Sequence, residues 1–81
     1  MLGKAKVYTF LVDKLTLENG EVLRRAIMSV EAVQDAQIKV KAGVVEVRAK
    51  KDIEEEFKIA CSVAKCTFRS RVSGSSASYY S

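Results

Sequence analysis

Residues 36–49 read AQIKVKAGVVEVRA, two alternating runs that meet at Ala42 and Gly43. In AQIKVK and VVEVRA the apolar residues fall at every second position, the period at which a strand sends successive side chains to opposite faces. Glycine at position 43 tolerates the positive φ that tight connections need, so the stretch reads as a β-hairpin.

Upstream, residues 21–30 carry Leu23, Ala26, Ile27 and Val30 at i, i+3, i+4 and i+7, with Arg24 and Arg25 on the other face. That spacing predicts an amphipathic helix, with Asn19 as its cap and residues 13–20 breaking the pattern before it. Residues 7–12, VYTFLV, are β-branched and aromatic and read as a first strand. Downstream, Asp52 precedes IEEEFKIACSVAKC, where Ile53, Phe57, Ala60, Cys61 and Ala64 make one helical stripe. Glu54, Glu55 and Glu56 occupy the first turn, where the helix dipole favours acids over a cation-binding role. Residues 67–72, TFRSRV, alternate again as a fourth strand.

Strand, helix, hairpin, helix, strand is the βαββαβ order of an α+β, ferredoxin-like sandwich. It implies a four-stranded antiparallel sheet with the first and third strands central and both helices on one face. One domain over residues 1–73 is expected, followed by a disordered Ser-rich tail, residues 74–81, that includes Tyr79 and Tyr80.

Composition limits what such a domain can do. A chain of 81 residues buries only about 60–65% of its unfolded surface, which leaves little room for an enclosed active site. There is no histidine, so imidazole catalysis and His-ligated metals are excluded. No phosphate-cradling glycine loop occurs, and residues 13–20 lack the arginine that acylphosphatase-like chemistry on this fold needs. A non-enzymatic protein is therefore expected. No run approaches the roughly 20 apolar residues of a membrane span, and Lys4 and Lys6 interrupt the start, so neither membrane insertion nor a signal peptide is expected. Two cysteines, Cys61 and Cys66, are too few for a disulfide framework and fit reduced thiols in a cytoplasmic protein. The net charge of +4, from 14 Lys and Arg against 10 Asp and Glu, is compatible with acidic proteins or with phosphates.

Many families share this order, and local wording separates them. Residues 30–40, VEAVQDAQIKV, resemble the V-x-G-V-x-x-V-x-V-x-L phrase of the heavy-metal-associated domains, and residues 42–47, AGVVEV, resemble the T-G-x-V-x-V that follows it. The resemblance spans residues 6–72. It implies the same βαββαβ fold and, in the family, a G-M-x-C-x-x-C loop whose two thiolates hold a soft ion such as Cu(I) or Zn(II) at the start of the first helix. Here residues 14–20 read KLTLENG. With Leu15 in place of the family's Met, the cysteine positions hold Leu17 and Gly20; an ungapped alignment on the helix puts Thr16 and Asn19 there instead. Neither alignment supplies a thiolate, so a degenerate metal loop and no metal cofactor are expected. The alternative is copper or zinc handling by a displaced Cys61 and Cys66 site. Against it stands the plainer reading of Cys61 as a small core residue and Cys66 as a helix-end residue.

Alternation also sorts the sheet. With Tyr8, Phe10, Val12, Ile38, Val40, Val45, Val47, Phe68 and Val72 toward the helices, the open face presents Val7, Thr9, Leu11, Gln37, Lys39, Lys41, Val44, Glu46, Arg48, Arg69 and Arg71. A solvated face whose cations guard the sheet edges is one reading. The functional reading is a docking surface in which Val7, Leu11 and Val44 form an apolar centre and Lys39, Lys41, Arg48, Arg69 and Arg71 a basic rim, suited to an acidic protein or to self-association. Nucleic-acid binding through the same basic face is a third reading. It needs Tyr8 and Phe10 exposed for base stacking, which requires the register to slip by one residue.

Overall fold

The computed structural model describes residues 5–72. The serine-rich tail, with Tyr79 and Tyr80, and its boundary with the domain lie outside the described residues. The elements run β1 (Lys6–Asp13), α1 (Leu17–Met28), β2 (Val33–Lys39), β3 (Val44–Ala49), α2 (Glu54–Ala64) and β4 (Thr67–Val72). The sheet is antiparallel in the order β2-β3-β1-β4, so β1 and β3 are central as the pattern required. This is the ferredoxin-like α+β sandwich.

The core lies between one sheet face and the two helices. Phe10 of β1, Val45 and Val47 of β3, Leu23 and Ile27 of α1, Ile53 at the N-cap of α2 and Phe57 within it are fully buried. Phe10 stacks on Phe57 with ring centroids 4.0 Å apart, and Phe68 of β4 meets both rings at 6.1 and 5.9 Å. Aromatic contacts of this kind tie the central strand to the second helix and to the edge. The stripe expected on α2 is buried in full, Ile53, Phe57, Ala60, Cys61 and Ala64 together.

Helix α1 begins four residues earlier than its apolar periodicity indicates. Thr16, not Asn19, is the N-cap: the Asn19 backbone N–H donates to Thr16 Oγ1 at 3.1 Å, and the Thr16 N–H donates to Asn19 Oδ1 at 2.7 Å. Asn19 here takes the part that Glu or Gln plays in a capping box. Gly20 reads as a breaker in sequence but lies inside the helix. A Cβ there would sit 3.1 Å from Ile38 Cγ2, so its absence lets α1 settle onto β2.

Strand β2 also starts earlier, at Val33, and ends at Lys39, where Lys39 pairs with Val44. Val40 and Lys41 therefore belong to the turn rather than to the strand. Gly43 holds φ at +67° there, the conformation anticipated for the hairpin.

Candidate functional site

The open sheet face is built by the odd-numbered residues of β1 and their partners. Val7 lies opposite Arg48, Thr9 opposite Glu46, and Leu11 opposite Val44. On the far side of β3, Asp35 lies opposite Arg48, Gln37 opposite Glu46, and Lys39 opposite Val44. Val7 is 52% exposed, while Leu11 and Val44 are half-buried. Phe10 is fully buried and Tyr8 half-buried on the helix side, so the register is the favoured one and both aromatics are turned away from the open face.

Strand β4 departs from strict alternation. A bulge opposite the Leu11–Val12 step sets Leu11 against Ser70 and Val12 against Phe68, leaving Arg69 as the extra residue. Two assignments change places as a result. Arg71 pairs with Phe10 and so lies on the helix side, whereas Val72, expected among the helix-facing residues, lies opposite Thr9 on the open face. Arg71 Nη1 reaches Asp52 Oδ2 at 2.6 Å and Glu54 Oε1 at 3.5 Å, tying β4 to the start of α2. The Arg71 guanidinium beside Asp52 holds that carboxyl below the usual carboxylate range. Arg71 is thus separated from the other rim residues, and the apolar group gains Val72.

The rim is less basic than its cations alone suggest. Lys39 Nζ donates to Glu46 Oε2 at 3.2 Å, and Arg69 Nη1 lies 3.5 Å from Asp13 Oδ1. Arg48 forms no ion pair among the described residues and is free to meet an outside acid on this face; Lys41, exposed in the turn between β2 and β3 rather than on a strand, forms none either. A shallow depression of about 130 Å³ opens between Val7, Asp35, Gln37, Glu46 and Arg48.

The loop at the start of α1 keeps a buried anchor but offers no soft donor. Leu15 packs against the core, Leu17 is 80% exposed, and Gly20 is buried against β2. The alternative pair, Thr16 and Asn19, spends its side-chain oxygens on backbone N–H groups in the capping box. The Asn19 amide also donates to the Lys14 carbonyl at 2.7 Å. The donor set therefore does not fit a soft metal ion under either alignment. No cluster of three or more His, Cys, Asp or Glu side chains able to hold a metal occurs among the described residues.

Cys61 and Cys66 are both buried and unpaired. They close the C-terminus of α2. The Cys66 N–H donates to the Cys61 carbonyl at 3.1 Å, and the Lys65 N–H to the Ser62 carbonyl at 3.3 Å, with Lys65 at φ +66°. This is the paired hydrogen-bond pattern of a Schellman motif, which places an apolar contact between the residues at Cys61 and Cys66. Burial pushes the Cys61 thiol up to about 12, with the neighbouring Cys66 adding to the effect; burial raises Cys66 as well. Thiols held protonated in this way are poor metal ligands and poor nucleophiles at neutral pH.

Two features escaped the alternation argument. The β4 bulge has no glycine or proline to announce it. The Arg71 pair with Asp52 joins residues 19 apart in sequence, and the acidic run at the start of α2 was its one visible hint.

No protein-family model matches the chain, and no curated protein matches it significantly. Among solved structures, the N-terminal domain of ZntA in its apo-form is similar with a TM-score of 0.72 and 18% identity, covering 82% of this chain and 92% of that one. The copper(I)-loaded first domain of the human copper chaperone for SOD1, CCS, is similar with a TM-score of 0.65 and 15% identity, covering 86% of this chain and 100% of that one. No helix among the described residues is long and apolar enough to cross a membrane. At these identities the likenesses carry the fold alone, and that fold is the one implied by the resemblance to heavy-metal-associated domains.

Proposed function

We propose that this chain is a non-enzymatic protein-docking module that uses its open sheet face, on a scaffold whose metal loop is degenerate. The observation that carries the reading is the grouping of Val7, Leu11, Val44 and Val72 around Thr9 on a sheet face that neither helix covers. Apolar side chains ringed by charge are the usual anatomy of a contact surface. Lys41 and Arg48 lack intramolecular ion partners among the described residues, which favours a protein with acidic groups facing those positions. The donor chemistry of residues 14–20 and the protonated, buried thiols weigh against metal handling. The inward turn of Tyr8 and Phe10 leaves nucleic-acid bases without a stacking platform among the described residues.

The test is affinity capture with the wild-type protein and with Leu11→Glu and Val44→Glu, each checked by circular dichroism and thermal melting. The reading expects both variants to stay folded and to lose the captured partner. A partner retained equally by wild type and both variants would overturn it.

A further inference from the structure

The edge of β2 and the flank of α1 beside it form a second surface, which meets the open sheet face along Asp35, Gln37 and Lys39. Its shape and charge are self-complementary. Strand β2 is an edge strand, and its one irregularity lies between Val33 and Asp35, which leaves residues 35–39 regular. The opposite edge, β4, is bulged at Arg69. Arg24 Nε donates to the Ala36 carbonyl at 3.2 Å, so that carbonyl points outward from the edge. In an antiparallel ladder alternate residues share this orientation, and Ile38 therefore presents its N–H and C=O outward too.

Helix α1 runs antiparallel to β2 across this edge. Position 20 sits over Ile38 and Val40, while Arg24 sits over Ala36 and lies 3.9 Å from Asp35. An open groove of about 570 Å³ follows the junction. Along the groove side of α1, Leu17, Glu21, Arg24 and Met28 recur at i, i+4, i+7 and i+11, one stripe of a helix. Leu17 is 80% exposed and Met28 36%, large apolar side chains at the two ends of a charged centre.

We propose that this surface binds a second copy of the same chain in a two-fold symmetric dimer whose axis passes beside Gln37. An axis there pairs Ala36 with Ile38 of the second copy, and their outward N–H and C=O groups exchange hydrogen bonds once Arg24, which covers the buried Ala36, leaves its carbonyl for the second copy. It pairs Asp35 with Lys39 of the second copy on the open face, twice by symmetry, in exchange for their partners within the chain, Arg24 and Glu46. Because positions 20 and 24 of α1 flank the same point, the axis also crosses α1 near residue 22. The two α1 helices then lie antiparallel, Glu21 meets Arg24 of the second copy, and Leu17 meets Met28. The charge order of the strand and that of the helix thus select the same axis independently, and a symmetric contact of this kind is closed.

The measurement is sedimentation velocity of the wild-type protein at about 100 µM, where a dimer with a Kd of about 10 µM is mostly associated. Wild type is expected to be dimeric. Glu21→Arg alone and Arg24→Glu alone each create two like-charge contacts and are expected to weaken association by more than about tenfold. Mixed together, those two variants restore both opposite-charge pairs and are expected to form a heterodimer. Because Arg24→Glu also loses the bond to the Ala36 carbonyl, Asp35→Lys and Lys39→Asp provide an independent pair for the same mixing experiment. A monomeric wild type, single variants that remain dimeric, or mixtures that stay monomeric would each overturn the proposal. Leu11→Glu, two strands away from this edge, should leave the dimer intact, so its fate is separable from that of the docking face.

Discussion

At the scale of single residues, the two cysteines show how a chemically suggestive pair becomes a structural one. Their spacing allows a metal or redox reading, yet Cys61 and Cys66 occupy the two apolar positions of the motif that ends α2. Which reading holds depends on the left-handed residue between them, and here that residue is Lys65 at φ +66°. A side chain in this conformation costs about 1 kcal/mol relative to glycine, so Lys65→Gly should raise stability by about that amount in a denaturant melt. Thr16→Ala removes the acceptor of the capping box and should lower stability by about 1 kcal/mol. The Cys61 thiol, raised from an ordinary 9.0 to about 12, favours the folded state while it is protonated. That contribution is complete below pH 9.0 and is lost as pH rises toward about 12, so stability should decline over that alkaline window. Alkylation of the native protein at neutral pH should be slow and should accelerate on unfolding. The core position of Cys61 was legible in the helical period. The helix-end position of Cys66 was legible too, but the left-handed Lys65 before it was not, because nothing in a Lys-Cys pair announces such a cap.

At the scale of elements, hydrophobic alternation placed β1 and β3 correctly and failed at two kinds of position. Helix α1 was read from its apolar stripe, which starts only at Leu23, so the polar first turn and its threonine cap were taken for loop. On β4, one extra residue in the ladder reversed the three positions after it, residues 70–72. Arg71 consequently serves the fold: its pair with Asp52 and Glu54 fastens β4 to the α2 N-terminus. Arg71→Ala should lower the melting temperature and leave docking through the open face unchanged in folded protein, whereas Arg69→Ala, on the bulge beside Asp13, should leave the fold intact. Asp52 is depressed below its ordinary 3.8 by Arg71, so it favours the folded state when ionised. That stabilisation is present above pH 3.8 and is lost as pH falls through the folded-state value. Asp52→Asn should therefore be less stable than wild type at neutral pH, and the gap between the two should narrow as pH falls below 3.8.

At the scale of the whole molecule, the topology follows from the order of periodic segments, since a hairpin between two strand–helix units has few other ways to bury both amphipathic helices. The site was less legible. The apolar centre of the open face followed from alternation, but its charge balance did not, because the pairing of Lys39 with Glu46 and of Arg69 with Asp13 depends on strand register and side-chain reach. What remains is a ferredoxin-like scaffold whose first helix opens on a hydrogen-bonded threonine cap. The most direct measurement is a titration of the reduced protein with Cu(I) and Zn(II), followed by heteronuclear NMR. The predicted result is no one-to-one complex and no shift in residues 14–20, Cys61 or Cys66. Tight stoichiometric binding that moves those signals would contradict the account.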